Sequence, residues 1–328
     1  MAELREKKID VIIPCYRPGP YFLRQLELLG RQSLPLHRLI IVNTEEKLMS
    51  PEAGAAAEAF GERLTLRHIR KEDFDHGGTR NLGAALSDGD AMLFLTDDAE
   101  PADEYLLERL AEALYRAPGP DGLVCASVYG RQLAREDASE EERHSRLFNY
   151  PPESCEKSLK DLQRLGIKTY FSSNACCMYD REIFLRLGAF EKEAVFNEDM
   201  LFAAKALKAG YKIAYEAEAR VLHSHAFSCM QQFRRNFDLG MSQAMHPEVF
   251  RGIPSEGEGI RMVRQTAARL ASKGKFLQLP VLFVRSAFKY AGYRLGRAYR
   301  LLPLSVIRSC SANKAFIDRY FGRKGKSR

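Results

Sequence analysis

Four short apolar runs, each closing on polar residues and each separated from the next by a helix-like segment, constrain this 328-residue chain more than any other feature. They are "IDVIIPCY" (9–16), "RLIIVNTE" (38–45), "LTLRHIR" (64–70) and "AMLFLTDD" (91–98). Runs of this length bounded by Gly, Pro and Asp read as buried strands of a mostly parallel sheet. Between the first two, Phe22, Leu26 and Leu29 recur at helical spacing from about Tyr21 to Gln32. An alanine-rich helix and a helix opened by Gly77-Gly78 follow. Such alternation requires right-handed crossovers and a layered α/β fold, with the polar strand ends gathered on one edge of the sheet.

That edge is where ligands bind in open α/β sheets. Asp97 and Asp98 therefore stand where a ligand would meet them. Acids are also favoured at helix starts, so helix capping is an equal reading of the strand end taken alone. Downstream, a helix is expected from about Ala102 to Tyr115, then a strand "LVCASVYG" and a polar, mobile stretch from Arg131 to Lys160. "TYFSSNACCMYD" (169–180) reads as a strand of small residues and "REIFLRLGAF" as a helix. The block "FNEDMLFAAKALKAGYKIAYEAEARVLHSH" (196–225) puts Glu198 and Asp199 at a helix start. It also puts His223 and His225 at a strand end, on one face by the period of two.

With 45% hydrophobic and 28% charged residues, the composition is that of a globular protein. The charged opening "MAELREKKID" leads straight into the first strand and shows no targeting pattern. Apolar stretches such as "FLQLPVLFV" (276–284) fall far short of a bilayer span. Seven cysteines without a CxxC spacing indicate a reducing compartment, and neither a disulfide framework nor a zinc knuckle. The net charge of +7 hides an asymmetry: residues 251–328 carry 18 Lys/Arg against 3 Asp/Glu, and the first 250 carry 32 against 40. The expected organisation is an acidic body, 1–250, and a basic helical region, 251–328.

With Asp97-Asp98, Glu198-Asp199 and His223/His225 collected in order, the chain resembles the family 2 glycosyltransferases of the GT-A fold. "VIIPCY", "IIVNTE", "GGTRNLGAALSDGDAMLFLTDD", "NEDMLFAAKALKAGYKI" and "VLHSH" carry the resemblance. "FDHGGTRNLGA" and the C-terminal "KYAGYRLGRAYRLLP" look most like the rhamnosyltransferase subgroup. The resemblance implies a Rossmann-like mixed sheet flanked by helices. It also implies an inverting transfer of a sugar, L-rhamnose from dTDP-L-rhamnose by the subgroup and a UDP-linked hexose as the alternative, to a saccharide or lipid-linked acceptor. A departing diphosphate gains charge that a divalent cation offsets, and hard oxygen donors with imidazole suit Mn²⁺ or Mg²⁺.

By resemblance, Asp98 and His223 take metal-contacting positions, with His225 as a second candidate. Asp199 is the base that takes the acceptor proton, and Glu198 orients it or contacts the acceptor. The family's first aspartate of the strand-end motif is replaced by Thr96, and Asp97 is an additional carboxylate for ribose or metal. Pro14 and Tyr16 border the base. Asn43 stands where the family usually has an aspartate, with Glu45 two residues on as its substitute. Gly77-Gly78 would let backbone approach the ligand, and Arg80 would bind the diphosphate or the base. Asn174 is an acceptor-side candidate.

In the tail, Val284, Ala287, Phe288, Ala291, Leu295, Ala298 and Leu302 form a narrow apolar stripe with Arg285, Lys289, Arg297 and Arg300 on the other side. Such a helix either packs on the body or docks on anionic lipid at the cytoplasmic membrane face, as a peripheral protein would. The closing "RKGKSR" reads as disordered. A nucleic-acid partner is not expected, because no nucleic-acid module accompanies the basic region. A non-catalytic nucleotide-sugar binder is the remaining rival, raised by Thr96 and Asn43 standing where acids are expected.

Overall fold

The computed structural model describes residues 2–253 and 256–325. Its strands are β1 (Ile9–Cys15), β2 (Arg38–Thr44), β3 (Leu64–Ile69), β4 (Ala91–Leu95), β5 (Glu100–Pro101), β6 (Cys125–Leu133), β7 (Cys155–Lys157), β8 (Cys176–Asp180) and β9 (Lys212–Leu222). They form one sheet in the order β3-β2-β1-β4-β8-β6-β9-β5, with β7 paired to β9. The first four strands are parallel, as the alternation requires. β8 then enters antiparallel to both β4 and β6, which makes the sheet mixed.

The helices that matter for the site are α1 (Pro20–Leu29), α2 (Pro51–Glu58), α3 (His76–Ala85), α4 (Leu106–Leu114) and α5 (Glu140–Asn149). Further along lie α6 (Glu198–Lys208), α7 (Cys229–Met245), α8 (Glu256–Ser272), α9 (Gln278–Arg297) and α10 (Lys314–Gly325). Side chains of β1, β2 and β4 are buried on both faces, which is why these runs read as continuously apolar. One face packs Val11, Ile41 and Leu93 against Phe22, Leu26 and the leucines of α4. The other packs Ile12, Phe94 and Tyr179 against Phe184, Phe190 and Phe202.

Two expectations differ from the structure. The stretch from Arg131 to Lys160 is ordered: β6 continues to Leu133, and α5 forms because Ser139 caps it while Glu140, Glu141 and Glu142 occupy its first turn. "TYFSSNACCMYD" becomes strand only from Cys176, and residues 171–175 leave the ladder to run across the polar edge of the sheet.

Beyond residue 250 the chain does not stand apart from the body. Helices α7 and α9 lie backbone to backbone, because a Cβ on Gly296 would sit 2.0 Å from the Phe237 carbonyl oxygen and one on Gly292 2.2 Å from that of Phe233. Phe237, Met241, Tyr299, Ile307, Phe316 and Ile317 make a separate core with Val195, just before Glu198. On α10, Arg319 donates to the carbonyls of Glu72 (2.7 Å) and Phe74 (3.0 Å) and pairs with Asp75 (3.2 Å), which caps α3. Much of the basic charge is met internally: Lys273 and Lys275 pair with Glu140, Arg285 and Lys289 with Glu141, and Arg294 with Glu256. Leu295 and Leu302 of the apolar stripe are packed, whereas Val284, Ala287 and Ala291 remain exposed. Helix α10 runs to Gly325, and residues 326–328 of the expected tail lie outside the described residues. No helix among the described residues is long and apolar enough to cross a membrane.

Candidate active site

The segment Ser173-Asn174-Ala175 ties the site together. It leaves the ladder just before β8, which lies beside β4, so it crosses the end of the strand that carries Asp97 and Asp98. The Ala175 carbonyl accepts from Thr96 N–H (3.4 Å). Asn174 donates its side-chain amide to Glu198 Oε1 (3.1 Å) and its backbone N–H to Asp199 Oδ2 (3.1 Å). Ser173 Oγ accepts from Gln132 Nε2 (2.9 Å), and Gln132 in turn holds His223. Residues far apart in the chain thus meet through three consecutive ones.

At one end of this bridge, Asp98 faces both histidines, with Oδ1 3.3 Å from His223 Nε2 and Oδ2 3.4 Å from His225 Nδ1. The three offer ligand atoms within 4.8 Å of one another. Gln132 Oε1 accepts from His223 Nδ1 (2.8 Å) and also from Arg146, so the Nδ1 nitrogen carries the proton. The Nε2 lone pair then points at a carboxylate oxygen. Two acceptors facing one another at this distance are reconciled by a cation or a proton between them. Burial disfavours the proton, since it lowers the His223 value and pushes His225 down to about 4. Burial also opposes charge on Asp98, and what holds the group well below the ordinary carboxylate range is positive charge on the imidazole side, a part that falls to a cation where the imidazoles are neutral. A carboxylate with two neutral imidazoles fits a divalent cation.

Asp97 does not join this cluster. Its Oδ2 accepts the Tyr16 N–H (3.0 Å), which pins the end of β1 to the end of β4, and burial pushes its carboxyl up to about 6. The Thr96 carbonyl accepts from Gln25 (2.8 Å), while its buried hydroxyl lies beside the Asp98 carboxylate and helps to hold it ionised. Arg135, in the stretch expected to be mobile, binds the Asp98 carbonyl (2.6 Å), pairs with Glu100 and lies 3.7 Å from the centre of the Tyr21 ring. It locks the turn that presents Asp98.

At the other end, Asn197 opens α6 in the left-handed conformation (φ 65°), one of the few non-glycine residues that accept it readily. This sets Glu198 and Asp199 in the first turn, where the helix N-terminus favours acids. Glu198 is buried and pairs with Arg80 (3.1 Å). Burial works to raise its value, but Arg80, His76 and the Asn174 amide outweigh that and hold it down. Burial first, and the Glu198 charge second, push Asp199 up to about 7.

Three of the expected ligand-side residues make contacts within the protein. Arg80 is buried, with Nη1 3.0 Å from the His76 carbonyl and 3.1 Å from Glu198, so this nitrogen serves the acid pair. Gly77 serves packing, because a Cβ there would lie 2.1 Å from the Glu191 carbonyl oxygen. Asn43 is fully buried, accepting from Cys15 (3.4 Å) and meeting His68 (2.9 Å), so it presents no edge to a base. Glu45 is half-buried at the end of β2 in the left-handed region (φ 66°), where it accepts the Lys71 N–H (2.7 Å). Tyr16 is 38% exposed beside half-buried Pro14, with Lys71 5.8 Å from its ring centre. Gln132 and Arg135 were not among the sequence candidates, and a glutamine inside the run "CASVYGRQL" was the one signal available. A second acid-imidazole group, Asp10–His37–Asp88, sits at the opposite end of β1, where Asp10 serves the loop at Ser87 to Gly89.

Comparison with known proteins follows the same outline. Residues 10–188 match the model of Glycosyl transferase family 2. The O-antigen chain rhamnosyltransferase RfbN of Salmonella typhimurium is 37% identical over 311 residues, covering 94% of this chain and 96% of that one. WbaN of Salmonella anatum, also an O-antigen chain rhamnosyltransferase, is 39% identical over 309 residues, 93% and 94% of the two chains. Among solved structures, the mannosyltransferase PcManGT from Pyrobaculum calidifontis, in complex with GDP-Man and Mn²⁺, superposes with a TM-score of 0.52 at 15% identity, over 95% of this chain and 85% of that one. TarS 1–349 of S. aureus in complex with UDP gives 0.51 at 15% identity, over 90% and 91%. These two likenesses concern the fold, which is the GT-A fold.

Proposed function

The chain belongs to glycosyl transferase family 2, and from that premise we propose that it transfers L-rhamnose from dTDP-L-rhamnose to a hydroxyl of a growing surface polysaccharide, inverting the anomeric centre in one displacement. The observation that carries the reading is the convergence of the Asp98–His223–His225 group, through Gln132, on Ser173 and of the Glu198–Asp199 pair on the adjacent Asn174. The relatives named above supply the sugar.

In this reading Asp199 takes the acceptor hydroxyl proton as that oxygen attacks the anomeric carbon. A carboxylate raised to about 7 is a stronger base than an ordinary one, and near neutral pH about half of it is free to accept. Glu198, held ionised by Arg80, keeps that value high by its own charge and does not compete for the proton. Asn174 holds both carboxylates in place. Asp98, His223 and His225 would hold Mn²⁺ or Mg²⁺, which when bound supplies Lewis-acid relief of charge on the leaving diphosphate. Tyr16, Pro14 and Glu45 border the nucleotide, and the buried Thr96 hydroxyl and Asp97 line the same strand end. The acceptor is a saccharide or lipid-linked saccharide met at the cytoplasmic membrane face, a reading supported by the exposed apolar residues of α9 within a basic segment.

A panel of nucleotide sugars offered with and without Mn²⁺ tests the proposal. The expected result is cation-dependent turnover of dTDP-L-rhamnose. Turnover of UDP-glucose in its place would overturn the sugar and keep the reaction class.

A further inference from the structure

Lys157, at the end of β7, carries its amino group into the interior without a counter-ion. The residue is 3% exposed, and among the described residues no carboxylate lies within ion-pair distance of its Nζ. Its neighbour Glu156 pairs with Lys212 (2.8 Å) instead. Oxygens and rings surround the Nζ. It donates to the Lys168 carbonyl (3.1 Å) and to that of Phe171, meets the Tyr129 hydroxyl at 3.1 Å, and lies 4.8 Å and 5.9 Å from the centres of the Tyr129 and Phe171 rings. An ammonium gives one hydrogen to each of the three oxygens. A neutral amine gives two to the carbonyls and accepts the third from Tyr129, so the contacts hold in both forms. Burial lowers its value to about 7, where both forms are present.

The carbonyls that Lys157 holds come directly before the segment that joins the two halves of the site. Residues 166–170 form a 3₁₀ turn, the Phe171 N–H closes on the Lys168 carbonyl (3.2 Å), and the chain then runs outside the ladder to Ala175. Backbone groups that leave a ladder must be met elsewhere. Downstream, the Cys176 N–H bonds the Ser173 carbonyl (3.1 Å) and the β4–β8 ladder begins at Cys176. Upstream, Lys157 ties the segment to β7, where Lys157 stands opposite Ile213 of β9. Asn174 is three residues from Phe171, a reach of about 10 Å at most. The place of the Phe171 carbonyl therefore limits where Asn174 meets Glu198 and Asp199.

We infer that Lys157 is a positioning residue for the transfer: by holding the Lys168 and Phe171 carbonyls it sets Ser173 against Gln132 and Asn174 against the Glu198–Asp199 pair. The inference rests on the proposed transferase reading and deepens it, since Lys157 touches neither carboxylate and acts through Asn174.

Lys157→Met keeps the stem and removes the donors. Hydrogen exchange of the full chain needs no substrate: the amides of residues 172–175 should exchange about tenfold faster or more, with β1 and β4 unchanged. In turnover of dTDP-L-rhamnose with Mn²⁺ present, kcat should fall about 10- to 100-fold while KM for the donor holds. Asn174→Ala should lower kcat as well, and adding Lys157→Met to it should lower it little further, because the two act through one contact. Lys160→Met, at an exposed lysine of the same stretch, should change none of these. Thermal melting checks folding. Lys157→Gln, which keeps two N–H donors on a shorter stem, should show the same pattern at smaller size and carries the test if the methionine variant does not fold. Unchanged exchange at 172–175, or a rise spread evenly over the chain, overturns the inference whatever the activity. So does a loss confined to KM, or full additivity in the double variant. Absence of donor turnover by the wild type counts against the transferase reading, and the exchange result then still decides whether Lys157 places the segment.

Discussion

Asp199→Asn removes the proposed base while keeping its shape, and the structure states what else it changes. The carboxylate accepts two backbone N–H groups, from Asn174 at 3.1 Å and from Met200 at 2.8 Å. An amide offers one oxygen, so one N–H loses its partner at a cost of about 1–3 kcal/mol. Relief of charge acts in the other direction, because Asp199 is raised from 3.8 to about 7 by burial and by Glu198. A carboxyl whose folded value lies above its unfolded one binds its proton more tightly when folded. It therefore adds stability that is complete below the unfolded value and lost as pH rises through about 7. The full shift corresponds to about 4 kcal/mol, and the partial exposure of Asp199 to the cleft cuts the amount expressed to about half or less. Asparagine has no such dependence. Relative to the wild type, the variant should gain about 1–2 kcal/mol between pH 5 and pH 8, a few degrees in melting temperature. Turnover should fall about 10²- to 10⁴-fold with dTDP-L-rhamnose binding retained. Melting curves at the two pH values and single-turnover transfer with Mn²⁺ present measure both effects. A melting difference that is independent of pH, or a loss of turnover below tenfold, would refute the assignment of Asp199 as the raised base.

Gln132→Leu removes the acceptor that keeps the proton on His223 Nδ1, and Mn²⁺ affinity should drop about 10- to 100-fold by calorimetry with the metal alone. Unchanged affinity would dismiss the tautomer argument. Gly296→Ala places a Cβ 2.0 Å from the Phe237 carbonyl oxygen, so α7 and α9 must separate and the melting temperature should fall by an amount equivalent to about 1–3 kcal/mol. Gly257→Ala, where a Cβ meets nothing within 4 Å, is the control and should melt no lower than the wild type. Equal melting of the two would mean that the helices can part without loss.

What the residues by themselves determined was set by local physics. Burial on both strand faces made β1, β2 and β4 legible, and acids before an apolar helical run marked the start of α6 at Glu198 and Asp199. Strand ends located Asp98 and His223 on one edge, since topology alone carries parallel strand ends together. Which groups those side chains meet was decided by tertiary structure. Arg80 meets Glu198, Asn43 meets Cys15 and His68, and Asp97 meets the Tyr16 N–H. Ser173 and Asn174 leave the ladder to join the two halves of the site. Gln132 and Arg135 order a stretch that composition suggests is loose, and α5 meets basic charge from α9 more than a hundred residues away. Hydrophobic periodicity reports whether a position faces inward. A buried polar group must still find its partner, and that partner is chosen by which distant segments the fold brings within hydrogen-bond reach.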